Sequence, residues 1–324
     1  IYTWQGGLGL PDREYYFKEG EDSGKIRTAY VAHIAKMFEL AGLPDGEAAA
    51  QTIMDLETRM AEGHLEKEKT RDMVALYNKI PLDELPELMP DFAWQPYLEA
   101  AVISDIDGLV VTQPDYMKTL DGILTGTDME TWKTYLTWNV LRANASLLNE
   151  AIDDQNFEFY SKTLRGVEQQ LPQWKRAVSV VNNNIGEVVG KVYVARHFPP
   201  EAKEQMLELV NNLIKAYEIS IKELDWMGDE TKAEALDKLS KFTPKIGYPD
   251  EWKDYSELAI EAGDLVGNLQ RSALFQYEYK INRQGGPVDR TEWNMTPQTV
   301  NAYFSPALNE IVFPAAILQP PFFD

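Results

Sequence analysis

Histidines are the first residues to consider, because they serve as metal ligands and as acid–base catalysts near neutral pH. The sequence contains three, His33, His64 and His197. A zinc site on a helix needs two imidazoles four residues apart, as in HExxH, and no two of these histidines have that spacing. His33 falls inside a predicted helix, where a structural role is expected, and the other two fall near helix ends, where exposure is expected. We therefore expect no catalytic residue and no metal ligand in this chain.

The other reactive side chains carry no signature of catalysis. The absence of cysteine excludes disulfides, a thiol nucleophile and thiolate metal sites. With 52 Asp and Glu residues, carboxylate pairs suited to acid–base work arise by chance. No serine lies in the glycine-flanked turn that exposes a serine nucleophile. The residue types alone assign no reaction.

One short motif could bind a substrate. Asn301, Ala302 and Tyr303 lie on a predicted strand close to the end of the sequence. An exposed strand edge binds an extended peptide through main-chain hydrogen bonds, and an Asn side chain beside it offers both a donor and an acceptor. Taken by itself the motif also fits a structural Asn on an ordinary strand, and both interpretations stay open.

Bulk composition limits the partners. Lys and Arg number 31 against 52 acidic residues, which gives a net charge of −21. A field of that sign repels phosphate backbones and anionic lipid surfaces, so nucleic acid is not an expected partner. No apolar run reaches the roughly 18 residues that a membrane helix requires, and we expect no transmembrane segment in this chain.

The elements that would position this motif are mostly helical. Apolar residues recur at helical spacing behind Ser23 and again from Asp45, with the second helix expected to finish in the charged run Glu66–Lys69. Further helices are expected over 128–147, 157–164, 174–193, 201–227, 229–242 and 255–282. Loops are expected over 1–17 and 246–254, and a strand over 108–111.

Near the end of the sequence the apolar period changes from helical to alternating. Val300, Ala302 and Phe304 alternate with other residues, turn residues follow over 305–309, and 310–313 makes a second strand before Pro314. This pattern predicts a β-hairpin.

The whole closing segment resembles the block that precedes the zinc helix in the neprilysin and endothelin-converting-enzyme family of zinc metallopeptidases. Other matches follow in the family's order along essentially all 324 residues. The matching segments are 7–13 (GLGLPDR), 76–79 (LYNK), 190–194, 224–227 (LDWM), 246–250 (IGYPD), 300–303 (VNAY), 311–315 (IVFPA) and 317–323 (ILQPPFF).

The resemblance implies a mainly α protein with a two-lobed, neprilysin-like architecture: a multi-helical lobe, and a terminal β-hairpin that belongs to a thermolysin-like catalytic lobe. The implied division assigns residues 1–77 and 127–283 to the helical lobe, 78–126 to a segment crossing into the catalytic lobe and 284–324 to the edge hairpin. In that family the Asn and Ala of the motif hold the substrate backbone, which carries over to Asn301 and Ala302. Tyr303 matches the aromatic position, where we expect a mainly structural role.

The resemblance also implies chemistry that this chain lacks. Family members continue into HExxH, whose histidines bind zinc and whose glutamate activates water for attack on a peptide carbonyl. We therefore expect zinc to be bound by residues outside this chain, in a C-terminal segment or second chain carrying HExxH, with short peptides as substrates. The lack of cysteine fits a bacterial member of the family. The resemblance itself implies a periplasmic or secreted oligopeptidase. The alternative is a non-catalytic peptide-binding or scaffold protein derived from the same family.

Overall fold

Helices dominate the regular structure, as the sequence predicts. The computed structural model describes residues 1–323. Contacts divide the chain into two units, Ile1–Gln170 with Lys280–Gly285, and Leu171–Tyr279 with the segment from Gly286 onward. The α-helices, in chain order, are α1 (Glu14–Phe17), α2 (Glu21–Leu40), α3 (Gly46–Gly63), α4 (Leu85–Leu88), α5 (Trp94–Ala100), α6 (Pro114–Thr125), α7 (Met129–Asn144), α8 (Glu150–Phe157), α9 (Gln173–His197), α10 (Pro200–Glu223), α11 (Asp229–Ser240) and α12 (Leu265–Ile281).

Short helical turns of other types complete the set. A π-helical stretch, Glu158–Thr163, continues α8, and 3₁₀ turns span Lys69–Arg71, Leu82–Glu84 and Ala145–Leu147. Within residues 1–323, none of the helices combines the length and the apolar character required to cross a membrane.

The first unit is built on the pair α2 and α3. Their apolar residues recur every three or four positions, so they lie on one face of each helix and pack together. That core, which includes the fully buried Trp138 of α7, contains Tyr30, Ile34, Met37, Phe38, Ala50 and Ile53. The predicted end of the second helix is wrong, because α3 ends at Gly63 and the charged run Glu66–Lys69 lies in the turn beyond it.

A small sheet belongs to the same unit. Its central strand β3 (Gly108–Val111) is the strand predicted from the apolar run. β2 (Lys79–Pro81) pairs with it antiparallel and β1 (Tyr2–Thr3) pairs with it parallel. Strands this short have too few residues to show an alternating pattern, so β1 was expected to be loop.

The second unit holds the sheet that carries the predicted binding motif. β6 (Glu310–Pro314) is central, between β4 (Thr243–Gly247), parallel to it, and β5 (Tyr303–Ser305), antiparallel to it. The predicted hairpin is present as β5 and β6. The prediction of a loop from residue 246 is wrong for Ile246 and Gly247, which complete β4.

The last helix is shorter than predicted. It begins at Leu265 rather than near residue 255, because Asp264 ends the preceding turn and accepts a hydrogen bond from the backbone N–H of Gly267 at 3.0 Å. Such a bond satisfies an amide that has no partner in the first helical turn.

Candidate functional site

The strand β5 lies at a free edge of its sheet. Tyr303 pairs with Val312 and Ser305 with Glu310 on one side, and no strand within residues 1–323 pairs with the other side. Alternate backbone N–H and C=O groups of an edge strand point outward and can pair with an added strand. The edge can therefore accept an extended peptide in the manner of one more strand.

Asn301 and Ala302 immediately precede this strand instead of forming part of it. The backbone N–H of Asn301 donates to Thr299 O at 3.0 Å, and the N–H of Ala302 donates to Oδ1 of Asn301 at 2.8 Å. These local bonds use amides that would otherwise extend the ladder, so the strand begins at Tyr303. Asn301 is exposed and Ala302 half-buried. The amide group of Asn301 keeps its Nδ2 donors and one lone pair of Oδ1 available to a ligand.

Tyr303 is tied down at its hydroxyl. The backbone N–H of Asn294 donates to the Tyr303 hydroxyl oxygen at 2.9 Å. Burial of the half-buried ring raises the pKa of Tyr303, and the nearby Glu310 and Glu292 carboxylates raise it further, against a lowering by the Asn294 bond. The hydroxyl therefore stays protonated at neutral pH and links β5 to the segment before Asn301.

That preceding segment is anchored on helix α9. Nε2 of Gln298 donates to Oδ1 of Asn182 at 3.0 Å and to the backbone O of Gly186 at 2.9 Å. Helix α9 leaves helical geometry at Ile185, with φ of −130° and ψ of 38°. Gln298 therefore fixes the segment to α9 on both sides of the kink at Ile185.

Two buried glycines of α9 allow the segment to approach closely. A Cβ built on Gly186 would lie 2.7 Å from Cγ2 of Thr296, and one built on Gly190 would lie 2.8 Å from Cδ of Pro297. Any larger residue would have to push the segment outward. Gly190 lies in one of the segments that resemble the family, but neither glycine's contact is evident from the sequence.

Below the edge, the sheet carries a buried ion pair. Nζ of Lys245 on β4 lies 2.7 Å from Oε2 of Glu310 on β6, with side-chain exposures of 9% and 1%. The same ammonium donates to the backbone O of Glu292 at 2.9 Å. This pair is not evident from the sequence, because the partners are 65 positions apart and β4 has no clear strand pattern.

The three histidines differ in burial and in surroundings. His33 is buried, stacked on the ring of Phe159 at 4.8 Å, and burial lowers its pKa to about 3. His33 is thus part of the buried interior of the first unit. The expectation of exposure is wrong for His64, which is 8% exposed with Nε2 3.1 Å from Gly6 O, whereas His197 is exposed as expected.

A zinc ion does not fit the residues that the structure describes. Over residues 1–323, no group of three or more His, Cys, Asp or Glu side chains is arranged to hold a metal ion. Three ligands are the minimum that catalytic zinc sites use.

One buried carboxylate went unnoticed in the sequence. Glu57 of α3 is fully buried and accepts hydrogen bonds from the hydroxyls of Tyr16 at 2.7 Å and Tyr30 at 2.9 Å. Burial raises the pKa of Glu57, and these hydrogen bonds oppose that rise. Its position beside Leu56 in an apolar helix face was the available signal. The cluster lies in the core of the first unit, where its hydrogen bonds link α2 and α3.

Comparison with known proteins identifies relatives along the whole chain. A family model described as Peptidase family M13 matches residues 1–249. Human endothelin-converting enzyme 1 is 33% identical over 337 residues, covering 100% of this chain and 44% of the relative. Neprilysin-3 of Drosophila melanogaster is 31% identical over 340 residues, covering 99% of this chain and 43% of the relative. The chain thus spans less than half the length of these relatives.

A solved structure gives the same result for the fold. The crystal structure of Mycobacterium tuberculosis zinc metalloprotease Zmp1 in complex with an inhibitor superposes with a TM-score of 0.90 at 45% identity. The match covers 98% of this chain and 49% of that one. The resemblance stated from sequence and the mainly helical, neprilysin-like fold are both confirmed.

Proposed function

This chain belongs to peptidase family M13, and on that premise we propose that it forms the helical lobe and the substrate-binding edge of a zinc metallo-oligopeptidase. The proposal rests on the free edge of β5, which begins two residues after the exposed Asn301. Short peptides are the proposed substrates, because an edge of three residues offers few main-chain bonds and suits a short extended segment.

Each residue of the motif has a distinct part in the proposal. Asn301 donates from Nδ2 to a substrate carbonyl and accepts an amide at Oδ1. Ala302 contributes backbone and leaves room beside the peptide, because its side chain is a single methyl group. Tyr303 is structural, and its hydroxyl bond to Asn294 holds the strand that presents the other two.

The zinc of the proposed enzyme is bound outside this chain. The family consists of zinc metalloendopeptidases, yet residues 1–323 hold no suitable cluster of ligands. We propose that a C-terminal segment or a second chain carrying HExxH supplies the metal site. The lobe assignment is part of the same proposal: 1–77 and 127–283 in the helical lobe, 78–126 and 284–324 in the catalytic lobe. A periplasmic or secreted location is proposed from the family resemblance.

A two-part assay tests whether peptide cleavage requires a zinc-binding segment outside this chain. This chain alone, supplied with zinc and a short quenched peptide, is expected to show no cleavage. The same chain produced together with a segment carrying HExxH is expected to cleave the peptide. Robust cleavage by this chain alone would contradict the proposal. Peptide binding without cleavage in every combination would favour the non-catalytic binding protein instead.

A further inference from the structure

One face of the sheet formed by β4, β6 and β5 carries polar and charged side chains. Lys245 and Tyr303 both lie opposite Val312 of the central strand, on its two sides. Glu310 is two residues before Val312 on the same strand. Because side chains two residues apart in a strand share a face, Tyr303, Lys245 and Glu310 lie on one face.

These side chains reach beyond the sheet to one loop. Lys245 Nζ binds Glu310 Oε2 at 2.7 Å and also donates to the backbone O of Glu292 at 2.9 Å. Two residues later, the backbone N–H of Asn294 donates to the Tyr303 hydroxyl. The loop from Glu292 is therefore held against the sheet at two successive points before it continues to Asn301.

The ion pair is poorly explained by stability alone. Charges of this kind lose hydration when buried, and well-packed apolar side chains of similar volume often stabilise a fold as well or better. In addition, the buried Oε1 of Glu310 has no hydrogen-bond partner among residues 1–323. A role in holding the loop accounts for the buried charges, because the Lys245 ammonium donates a hydrogen bond to the Glu292 carbonyl and an apolar side chain could not.

We propose that Lys245 and Glu310 are positioning residues for the peptide-binding edge. Glu310 holds the Lys245 ammonium in place, and Lys245 holds the Glu292 carbonyl, which sets the path of residues 292–300 and so the direction of the Asn301 amide. This role rests on the proposed function for its link to peptides. The effect on the loop itself does not depend on that function.

Replacement of both charges separates positioning from folding. Lys245→Met alone would leave a buried carboxylate without its cation and would lower stability whatever its role. The double variant Lys245→Met with Glu310→Met removes both charges and keeps similar volumes. We expect its Tm to stay within a few degrees of the unmodified chain.

Amide hydrogen exchange on this chain alone is the first measurement. We expect at least 10-fold faster exchange over residues 292–302 in the double variant, with α9 and β4 unchanged. The matched control is Lys222→Met with Glu218→Met, which removes an exposed ion pair of 2.6 Å on α10. The control is expected to leave exchange over 292–302 unchanged. Lys245→Arg, which keeps a cationic donor, is expected to retain most of the protection.

Peptide hydrolysis by the assembled enzyme is the second measurement. We expect kcat/KM to fall about 10-fold in the double variant, with no such fall in the control. A stable double variant with unaltered exchange over 292–302 would overturn the inference, and so would a double variant that does not fold. Faster exchange over 292–302 in the double variant, combined with unchanged peptide hydrolysis when Asn301 is replaced, would contradict the proposed function. It would leave the positioning of the loop by Lys245 and Glu310 supported.

Discussion

Gly190 of α9 lies directly against Pro297, so that a Cβ on Gly190 would come within 2.8 Å of the proline Cδ and 3.1 Å of Oε1 of Gln298. The contact brings the loop before Asn301 onto the helix without any intervening side chain. Helix α9 thus constrains the path of the loop that leads into β5.

Gly190→Ala is expected to displace this loop. Overpacking of a close contact costs about 1–3 kcal/mol, which over most of that range exceeds the roughly 1 kcal/mol that alanine gains over glycine in a helix. We expect lower thermal stability and reduced peptide turnover by the assembled enzyme. Gly122→Ala on α6 is the matched control, because a Cβ there meets no atom within 4 Å. The control should be neutral or slightly stabilising, and equal behaviour of the two variants would refute the contact.

Asn301→Ala is expected to impair peptide turnover and spare the fold. Each hydrogen bond contributes about 0.5–1.5 kcal/mol net, so the loss of one or two lowers kcat/KM by about 10-fold. Asn301→Asp replaces the Nδ2 donor with an acceptor at nearly constant shape and should be similarly impaired. Asn211→Ala, an exposed substitution on α10, serves as control. Steady-state kinetics unchanged in both Asn301 variants would exclude the assigned role.

Tyr30→Phe is expected to weaken the core of the first unit. The Tyr30 hydroxyl donates to the buried Glu57 and accepts from Nε1 of Trp138 at 3.1 Å. Its removal leaves one buried donor unpaired and a buried carboxyl with fewer donors, a combined cost of about 2–4 kcal/mol. Urea unfolding measures this difference. Tyr217→Phe, on the exposed face of α10, should change stability by less than about 0.5 kcal/mol.

His33 is expected to make the first unit less stable in acid. Its pKa in the folded chain is about 3, below the unfolded value near 6.5, so the unfolded chain binds the additional proton between these values. The stability is present above pH 6.5 and is lost progressively as the pH falls toward 3. Between pH 7 and pH 5 the loss from this group is about 2 kcal/mol.

Variants of the two histidines isolate that contribution. His33→Phe should have a smaller change in unfolding free energy between pH 7 and pH 5, because it lacks the titrating ring. His197→Phe, at an exposed position, should keep the pH dependence of the unmodified chain. An equal pH dependence in all three proteins would disprove the assignment to His33.

Local patterns were sufficient for the long helices and the terminal hairpin. The face of α2 that contains Tyr30 and Ile34 repeats with the helical period, and the alternation around β5 and β6 predicts paired strands. They were insufficient for β4, whose five residues include Pro244 and show no clear alternation. They also failed over 255–264, where apolar residues occur at helical spacing but Asp264 caps a helix that begins later.

The sequence by itself determined the family, the helical character and the motif Asn301–Tyr303, because these depend on residue type and on spacing within a short stretch. It also determined that three scattered histidines could not form HExxH. Only the tertiary structure decided that β5 has a free edge, that Gly190 admits Pro297, and that Lys245 meets Glu310. The last two relationships join residues 107 and 65 positions apart, and the distance between such residues is set by packing rather than by any local pattern.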